Sequence, residues 1–337
     1  MQELDQPSNR YWAPVDPDAP NNAHAFSLEL VGHNKRVLEL GPAAGAVTRA
    51  LADRGCRVVG IEVDPEAARH LEGVAEAVVV GDLADPEVVA AVADDEGFDV
   101  VLAGDVLEHL PDPLAVLRAC RRALRPGGYV VVSLPNIAHA DVKLRLLAGQ
   151  FDYRETGLLD RTHLTFFTRA SLGQLLEDAG FLLVDLRRVV VPVFTTEQAV
   201  EAESVEPAVL QAVMADPESE TYQFVARAMV HDGDAELARL AERIVAAETE
   251  LERELARCAA LEVRVESGED RLATTRIELE EARAEIGRLQ TLLLEAEAHA
   301  RGFEALSERR QANIDAIRST RSYRLLAPFR AVFARRS

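Results

Sequence analysis

The sequence is poor in features that would indicate an oxidising compartment or a membrane span. Three of its 337 residues are cysteines, at positions 56, 120 and 258, which are too far apart for a zinc motif or a disulfide framework. We expect them to be reduced thiols. No apolar run is long enough to cross a bilayer, and no segment near the N-terminus resembles a signal peptide. These absences lead us to expect a cytoplasmic protein.

The chain also lacks the basic excess of nucleic-acid-binding proteins. Its 37 lysines and arginines are outnumbered by 57 aspartates and glutamates, which gives a formal net charge of -20. A surface that binds DNA or RNA needs a basic face to displace counterions. We therefore expect no nucleic-acid partner. The hydrophobic content of 48% is ample for a folded core.

The segment from residue 36 to residue 62 predicts a nucleoside-binding crossover. Residues 36–40 are suited to a buried strand, and Gly41 to Gly45 can form a tight turn with little side-chain bulk. A second apolar strand ends at Glu62, about 20 residues after the turn, where a carboxylate can accept hydrogen bonds from both hydroxyls of a ribose. The pattern indicates an adenosine cofactor.

Two other interpretations share this pattern. A dinucleotide dehydrogenase would carry G-x-G-x-x-G, whereas this turn has Ala43 in place of the middle glycine. Glu39, inside the strand before the turn, would repel phosphates but attract a cationic amino acid, which favours S-adenosylmethionine (SAM). The remaining alternative is a strand and helix unit that binds nothing.

Further motifs follow in a fixed order along the chain. A third strand ends at Asp82 and Leu83, a fourth spans residues 98–105, and a fifth runs from Tyr129 to Ser133. Together with the glycine turn, these motifs resemble class I SAM-dependent methyltransferases over residues 36 to about 136. The resemblance implies an α/β fold with a Rossmann-like class I methyltransferase sheet, and SAM as the cofactor.

The same resemblance assigns the cofactor-binding residues. Glu39, Gly41 and Gly45 correspond to the methionine side, Glu62 to the ribose acid, and Asp82 with Leu83 to the adenine side. Ala43 replaces the usual second glycine, so we expect weaker or slightly reshaped cofactor binding. A non-catalytic scaffold with this fold is the alternative.

The candidate catalytic residues follow the fourth strand, where the methyl group of the cofactor should point. His109 is our first choice for the base that removes a hydroxyl proton, with Glu108 beside it. Asp105, Glu108 and His109 also resemble the acidic-x-x-Glu-His metal site of ubiquinone-pathway O-methyltransferases. A third interpretation is that the Glu-His pair only caps this loop. Our preferred assignment includes no metal.

A second polar cluster, between residues 149 and 168, is suited to an acceptor. Tyr153 and Phe167 can stack on sugar rings, Asp160 and Arg161 can bind oxygen atoms, and His163 can act as a second base or contact the acceptor. Alternatively, Asp160, Arg161 and His163 form a network that pins the loop.

The acceptor is suggested by a further resemblance. Residues 22–231 look like methyltransferases found beside bacterial glycosyltransferases in surface-polysaccharide pathways. The implied activity is O-methylation of a hydroxyl on a sugar or lipid-linked glycan. A small phenolic or quinone-like acceptor is the alternative.

The methyltransferase domain is expected to cover residues 1–231. A helix from Leu172 to Ala179, a strand from Phe181 to Val193 and a last strand from Thr221 to Val230 complete it. Between the last two strands, residues 195–220 are rich in acids and interrupted by two prolines, so they predict an irregular excursion.

Residues 235–315 carry a seven-residue apolar repeat. Every seventh residue from Leu237 to Ala300 is apolar, which indicates a coiled coil and a homo-oligomer. One continuous helix over roughly 70 residues would reach about 100 Å. The seam is weaker near Glu254 and Gly268, and Ser267 with Gly268 can form a hinge. The alternative is a solitary helix that frays or folds back.

Residues 316–337 form a basic tail without an acidic residue. Leu325, Leu326, Phe329, Val332 and Phe333 share one helical face, as in an amphipathic helix. We expect this tail to meet an anionic membrane surface at the inner face of the membrane, or a glycan-assembly partner with an acidic surface.

Overall fold

The computed structural model describes residues 15–85, 87–231 and 279–294, and residues 245–261 except positions 248, 252, 256 and 260. The chain divides into two compact units, Met1–Gly233 and Asp234–Ser337. In the described part of the chain, no helix combines the length and the apolar character needed to cross a membrane.

The first unit alternates strands and helices along the described chain. In order they are α1 (Ala23–Val31), β1 (Arg36–Leu40), α2 (Ala46–Asp53), β2 (Arg57–Glu62), α3 (Pro65–Arg69), β3 (Ala77–Val80), α4 (Glu87–Ala91), β4 (Phe98–Gly104), a 3-10 turn (Leu107–His109), α5 (Pro113–Ala123), β5 (Leu124–Pro135), α6 (Ala140–Leu147), α7 (Arg169–Asp178), β6 (Phe181–Val190), a 3-10 turn (Ala202–Ser204), α8 (Pro207–Met214) and β7 (Thr221–Val230).

The strands form one seven-stranded sheet in the order β3-β2-β1-β4-β5-β7-β6. The first five strands pair in parallel, and β7 runs antiparallel to both β5 and β6. The predicted Rossmann-like α/β sheet is therefore confirmed. The strand order reverses at β1, which lies between β2 and β4, so a crevice for ligands is expected at their carboxyl ends.

Local sequence explains where the site-forming elements begin. Every residue of β1 is buried, as expected for a central parallel strand. Helix α2 starts directly after Gly45, whose φ of 80° closes the turn from β1. Helix α5 is capped by Asp112, whose side chain accepts a hydrogen bond from the backbone N–H of Ala115, and Pro113 fits the first turn.

The excursion before β7 is more ordered than the sequence predicted. Strand β6 ends at Val190, and α8 forms within the acid-rich stretch. Helix α8 packs through Val213 on Ala140 and Leu144 of α6, together with several half-buried apolar side chains of the excursion. Burial of these side chains outweighs the loop propensity of the acids and prolines.

The second unit contains two described helical segments that pack on each other. Cys258 and Leu261 form one buried cluster with Leu279 and Ala282, against which Ile286 packs. In a single continuous helix Cys258 and Ala282 would be about 36 Å apart. The two segments therefore do not continue each other as one straight helix, and the predicted hinge at Ser267 and Gly268 lies outside the described residues. The rest of the predicted coiled coil and the basic tail lie outside the described residues.

Candidate functional site

A cavity of about 650 Å³ lies at the carboxyl ends of the central strands. One side is formed by predicted cofactor residues: Glu39, Gly41, Glu62, Asp82 and Leu83. The other side includes Asp105, His109, Ser133 and Thr162, and α1 contributes His24 and Ser27. The structure thus brings the predicted cofactor residues and the predicted base to one space.

The turn after β1 is shaped by two glycines. Gly41 has a φ of 62°, and a methyl group there would lie 2.8 Å from Cγ2 of Val106. A methyl group on Gly45 would collide with Leu71. Gly45 is not among the residues that line the cavity, so it shapes the turn, and its predicted contact with the cofactor stays a prediction.

Ala43 adopts the left-handed conformation that a glycine would take, with a φ of 47°. Its backbone N–H donates to Oε2 of Glu62 at 2.8 Å. This geometry costs an alanine about 1 to 2 kcal/mol of strain. The turn therefore keeps its shape despite the missing glycine.

Glu39 is a buried carboxyl group beneath this turn. Its Oε2 accepts a hydrogen bond from the Thr48 hydroxyl at 2.7 Å. Burial raises the pKa of Glu39 to about 7, opposed by the Thr48 hydrogen bond and reinforced by the charge of Glu62. A cationic ligand group near Glu39 would favour its ionised form.

Glu62 ends β2, and Asp82 follows β3, which ends at Val80 and not at the predicted Asp82 and Leu83. Both acids are in positions suited to the nucleoside. The two carboxylate oxygens of Glu62 accept hydrogen bonds from the N–H groups of Ala43 and Asp64, at 2.8 and 2.9 Å. Each oxygen keeps a second lone pair for a ribose hydroxyl. Asp82 accepts from the N–H of Ala84 at 2.8 Å, and Leu83 beside it is buried.

Three potential ligand atoms of Glu108, His109 and His163 lie within 4.8 Å of one another, and of these three residues His109 alone lines the cavity. The two imidazole rings meet edge to face, with centroids 4.8 Å apart. His163 comes from the loop before α7, which is fixed here because the N–H groups of Leu164 and Thr165 donate to the backbone oxygen of Glu108. Sequence spacing did not reveal this convergence.

Both histidines direct one nitrogen to a backbone carbonyl. Nδ1 of His109 lies 3.2 Å from the Thr162 oxygen, and Nδ1 of His163 lies 3.3 Å from the Leu158 oxygen. A carbonyl only accepts hydrogen bonds, so we assign the proton to Nδ1 in both rings, which leaves each Nε2 with a lone pair. Burial lowers the pKa of His163, which favours its neutral form.

Glu108 is 1% exposed, and its Oε2 has no hydrogen-bond partner among the described residues. Burial raises the pKa of Glu108 well above its usual range, and the charges of Asp105 and Asp160 add to this effect. One carboxylate oxygen and two imidazole nitrogens are a donor set that fits a divalent transition metal or zinc. Glu108 can therefore be a protonated acid, or the three residues together can bind a metal ion.

The residues predicted to bind the acceptor are distributed differently from the expectation. Asp160 is 3% exposed, and its Oδ1 accepts from the Thr162 hydroxyl at 2.6 Å. Its carboxylate thus holds Thr162, the residue that orients His109, in agreement with the alternative of a network that pins the loop, and its contact with an acceptor stays a prediction. Tyr153 is 48% exposed and Arg161 pairs with Glu155 at 2.7 Å, both outside the lining of the cavity. Phe167 is buried, so it cannot stack on a sugar.

Several lining residues were missed in the sequence. Ser133 ends a predicted strand and Thr162 lies in the predicted acceptor loop, but neither had a recognisable motif. His24 precedes the cofactor motifs of residues 36–136, and its place on α1 brings it to the cavity.

Comparisons with known proteins agree with this geometry. A family model described as a methyltransferase domain matches residues 13–186. A ubiquinone biosynthesis O-methyltransferase from Xanthomonas oryzae pv. oryzae (strain PXO99A) is 31% identical over 192 residues, covering 53% of this chain and 78% of the relative. The enzyme of the same name from Psychrobacter arcticus is 34% identical over 170 residues, covering 48% of this chain and 65% of the relative.

A solved structure is also similar. It is 1,6-didemethyltoxoflavin-N1-methyltransferase from Burkholderia thailandensis, with bound 1,6-didemethyltoxoflavin and S-adenosylhomocysteine. The identity is 21%, the TM-score is 0.41, and the match covers 62% of this chain and 77% of that one. The family model covers about half of this chain and carries the assignment. The chain belongs to the class I methyltransferase family and is a SAM-dependent methyltransferase.

Proposed function

We propose that this enzyme transfers the methyl group to a hydroxyl oxygen of its acceptor. The observation that carries the proposal is the position of His109, which lines the same cavity as the cofactor turn while its Nδ1 faces the Thr162 carbonyl. A hydroxyl is a poor nucleophile at neutral pH, and a neutral imidazole nitrogen is a suitable base for its proton.

The proposed mechanism is a direct displacement. SAM supplies a methyl group on a positively charged sulfur. Glu39 and the turn from Gly41 to Gly45 would orient the methionine part, Glu62 would hold the ribose, and Asp82 with Leu83 would hold the adenine. His109 takes the hydroxyl proton through Nε2 while the acceptor oxygen forms a bond to the methyl carbon in line. The bond between that carbon and the sulfur breaks, and S-adenosylhomocysteine is the leaving group. Glu108 and His163, whose side chains converge with His109, would support it from behind the cavity lining.

For the acceptor, we propose a sugar or a lipid-linked glycan of surface-polysaccharide biosynthesis. Tyr153 and Phe151 are exposed and meet edge to face, with centroids 5.4 Å apart. Such rings can stack on sugar faces, and Arg161 offers donors to glycan oxygens. In this proposal Tyr153 and Arg161 hold parts of a large acceptor that extend beyond the cavity.

A small phenolic or quinone-like acceptor is the second candidate. Two observations favour it: the names of the curated relatives, and the convergence of Glu108, His109 and His163. A divalent ion held by these three residues would acidify a nearby phenolic hydroxyl.

The wider setting is also a proposal. We propose that the enzyme works in the cytoplasm or at the inner face of the membrane, as a homo-oligomer held by the coiled coil. The basic tail would bind anionic lipid or a glycan-assembly partner.

The test measures SAM turnover by the purified full chain against lipid-linked glycans, nucleotide sugars and catechol, with and without a chelator. We predict that His109→Gln lowers kcat by about 10²- to 10⁴-fold and leaves the affinity for S-adenosylhomocysteine (SAH) unchanged. His33→Gln, at an exposed residue outside the cavity, is the control.

Three results separate the alternatives. Wild-type turnover by His109→Gln would remove the assignment of the base. Activity on catechol that a chelator abolishes and magnesium or zinc restores would favour the phenolic acceptor. Failure to bind SAH at millimolar concentration would contradict a working cofactor site.

A further inference from the structure

We infer that Asp105 binds a second hydroxyl of the acceptor, next to the one that is methylated, and that Ser133 and Gln223 position its carboxylate. This inference rests on the proposed O-methylation. It adds a specificity-determining residue and two positioning residues to the machinery described above.

The first observation is the backbone of Asp105. It directly follows β4 and has a φ of 54°, in the left-handed region. Its N–H donates to the backbone oxygen of Ser133 at 3.1 Å, which ties this turn to β5. A left-handed residue with a side chain is strained, and such strain concentrates at functional sites.

The second observation is the one-sided bonding of the carboxylate. Oδ1 accepts from the Ser133 hydroxyl at 3.0 Å and from Nε2 of Gln223 at very short range. The same Nε2 also donates to the Ser133 hydroxyl oxygen at 2.6 Å. Among the described residues, no hydrogen bond reaches Oδ2. The network therefore fixes the orientation of the carboxylate and leaves one oxygen for an additional donor.

The third observation is location. Asp105 and Ser133 line the cavity on the same side as His109 and Thr162. The carboxyl group that converges with the two histidines belongs to Glu108, so Asp105 is not needed in that cluster. Asp105 lies open to the cavity, where a bound hydroxyl can donate to Oδ2. Two anchors on one wall, His109 and Asp105, suit an acceptor with two neighbouring hydroxyls.

Gln223 reaches this site because of the antiparallel end of the sheet. Strand β7 pairs with β5 so that Gln223 lies opposite Pro135, two residues beyond Ser133. Strands β5 and β7 thus supply Ser133 and Gln223, and Asp105 directly follows the neighbouring strand β4. Sites supported by strands in this way hold their geometry better than sites on loops.

The experiment compares Asp105→Asn and Gln223→Met with Gln174→Met in the full chain. Asparagine tolerates the left-handed backbone, so Asp105→Asn removes the charge without altering the turn. Gln174 is a matched control, because its Nε2 also donates to an aspartate, Asp178, at 2.9 Å but on exposed α7. SAH-loaded protein is titrated calorimetrically with catechol and with methyl α-D-glucopyranoside, and SAH affinity and melting temperature are measured in parallel.

We expect at least one probe to bind the wild type. Gln223→Met should weaken that binding about tenfold and Asp105→Asn about tenfold or more, as expected for losing a hydrogen bond to a charged group. SAH affinity should match that of Gln174→Met. A role that was only structural would instead lower SAH affinity and melting temperature together.

Other results would overturn the inference in distinguishable ways. Unchanged probe binding in both Asp105→Asn and Gln223→Met would contradict the assignment of Asp105 and leave the proposed O-methylation unaffected. Loss of SAH affinity in Asp105→Asn would show that Asp105 contributes to cofactor binding and not to acceptor binding. Wild-type protein that binds SAH but neither probe contradicts both this inference and the proposed hydroxyl acceptors.

Discussion

At the scale of single residues, the cofactor turn depends on backbone conformations that side chains disfavour. Gly41, Ala43 and Gly45 have φ values of 62°, 47° and 80°. Glycine adopts this region without strain, whereas alanine does not. At Gly41 and Gly45 a methyl group would also collide with neighbouring side chains. Ala43 has the strain without the collision, which explains why an alanine is tolerated there.

Replacing Ala43 with glycine should therefore stabilise the protein. Relief of about 1 to 2 kcal/mol of strain exceeds the entropy that glycine adds to the unfolded chain, about 0.4 to 1 kcal/mol. We expect Ala43→Gly to raise the melting temperature by about 2 °C in a thermal unfolding experiment. Ala44→Gly is the control. Ala44 is buried and does not have a positive φ, so this substitution should lower the melting temperature. A decrease in both variants would show that the turn is not strained.

Glu39 gives the cofactor site a pH dependence. Its pKa is raised to about 7 by burial, so its contribution to the stability of the ligand-free protein is fully present below the usual value of 4.5 and is lost as pH rises through about 7. A bound ammonium group reverses the preference, because it favours the ionised carboxylate.

We therefore expect SAH to bind about tenfold more tightly at about pH 8 than at about pH 6, with release of a proton. Calorimetric titrations in two buffers of different ionisation enthalpy measure both quantities. Glu39→Gln should abolish the proton release attributed to this group. Equal affinity and no proton release in the wild type would show that Glu39 does not change its ionisation on binding.

At the scale of elements, the sequence predicted the parallel half of the sheet well. Strand β1 and the end of β2 at Glu62 lie where the apolar runs place them. These strands are buried on both faces, so their composition alone identifies them. The sequence did not predict helix α8, because its stability comes from packing on Ala140 and Leu144, which are distant in sequence.

The cofactor side of the cavity was easier to predict than the acceptor side for a related reason. Glu39 lies near the end of β1, Glu62 ends β2 and Asp82 follows β3, and the carboxyl ends of parallel strands meet at one edge. His163 reaches Glu108 only through backbone hydrogen bonds of a loop. Gln223 reaches Asp105 only through the register of an antiparallel pair. The spacing of residues in one sequence reveals neither the path of the loop that carries His163 nor the register between β5 and β7.

At the scale of the whole molecule, the apolar repeat of the second unit is partly paired within the chain. Cys258, Leu261, Leu279 and Ala282 occupy positions of the predicted seam and are buried together. The seam therefore does not require a second chain along this stretch. Self-association would depend on apolar side chains that this pairing leaves exposed.

Three leucines in the described helices of the second unit fit that requirement. Leu255, Leu292 and Leu294 are 48%, 37% and 62% exposed. Covering them against a second copy would remove apolar surface from water, which favours association.

We expect the full chain to sediment as a dimer or larger oligomer. The double variant Leu255→Glu and Leu294→Glu should sediment as a monomer with unchanged SAH affinity. Leu147→Glu, at a leucine 67% exposed in the first unit, should leave the mass unchanged. A wild type that is monomeric at micromolar concentration would mean that the repeat serves only to fold the second unit on itself.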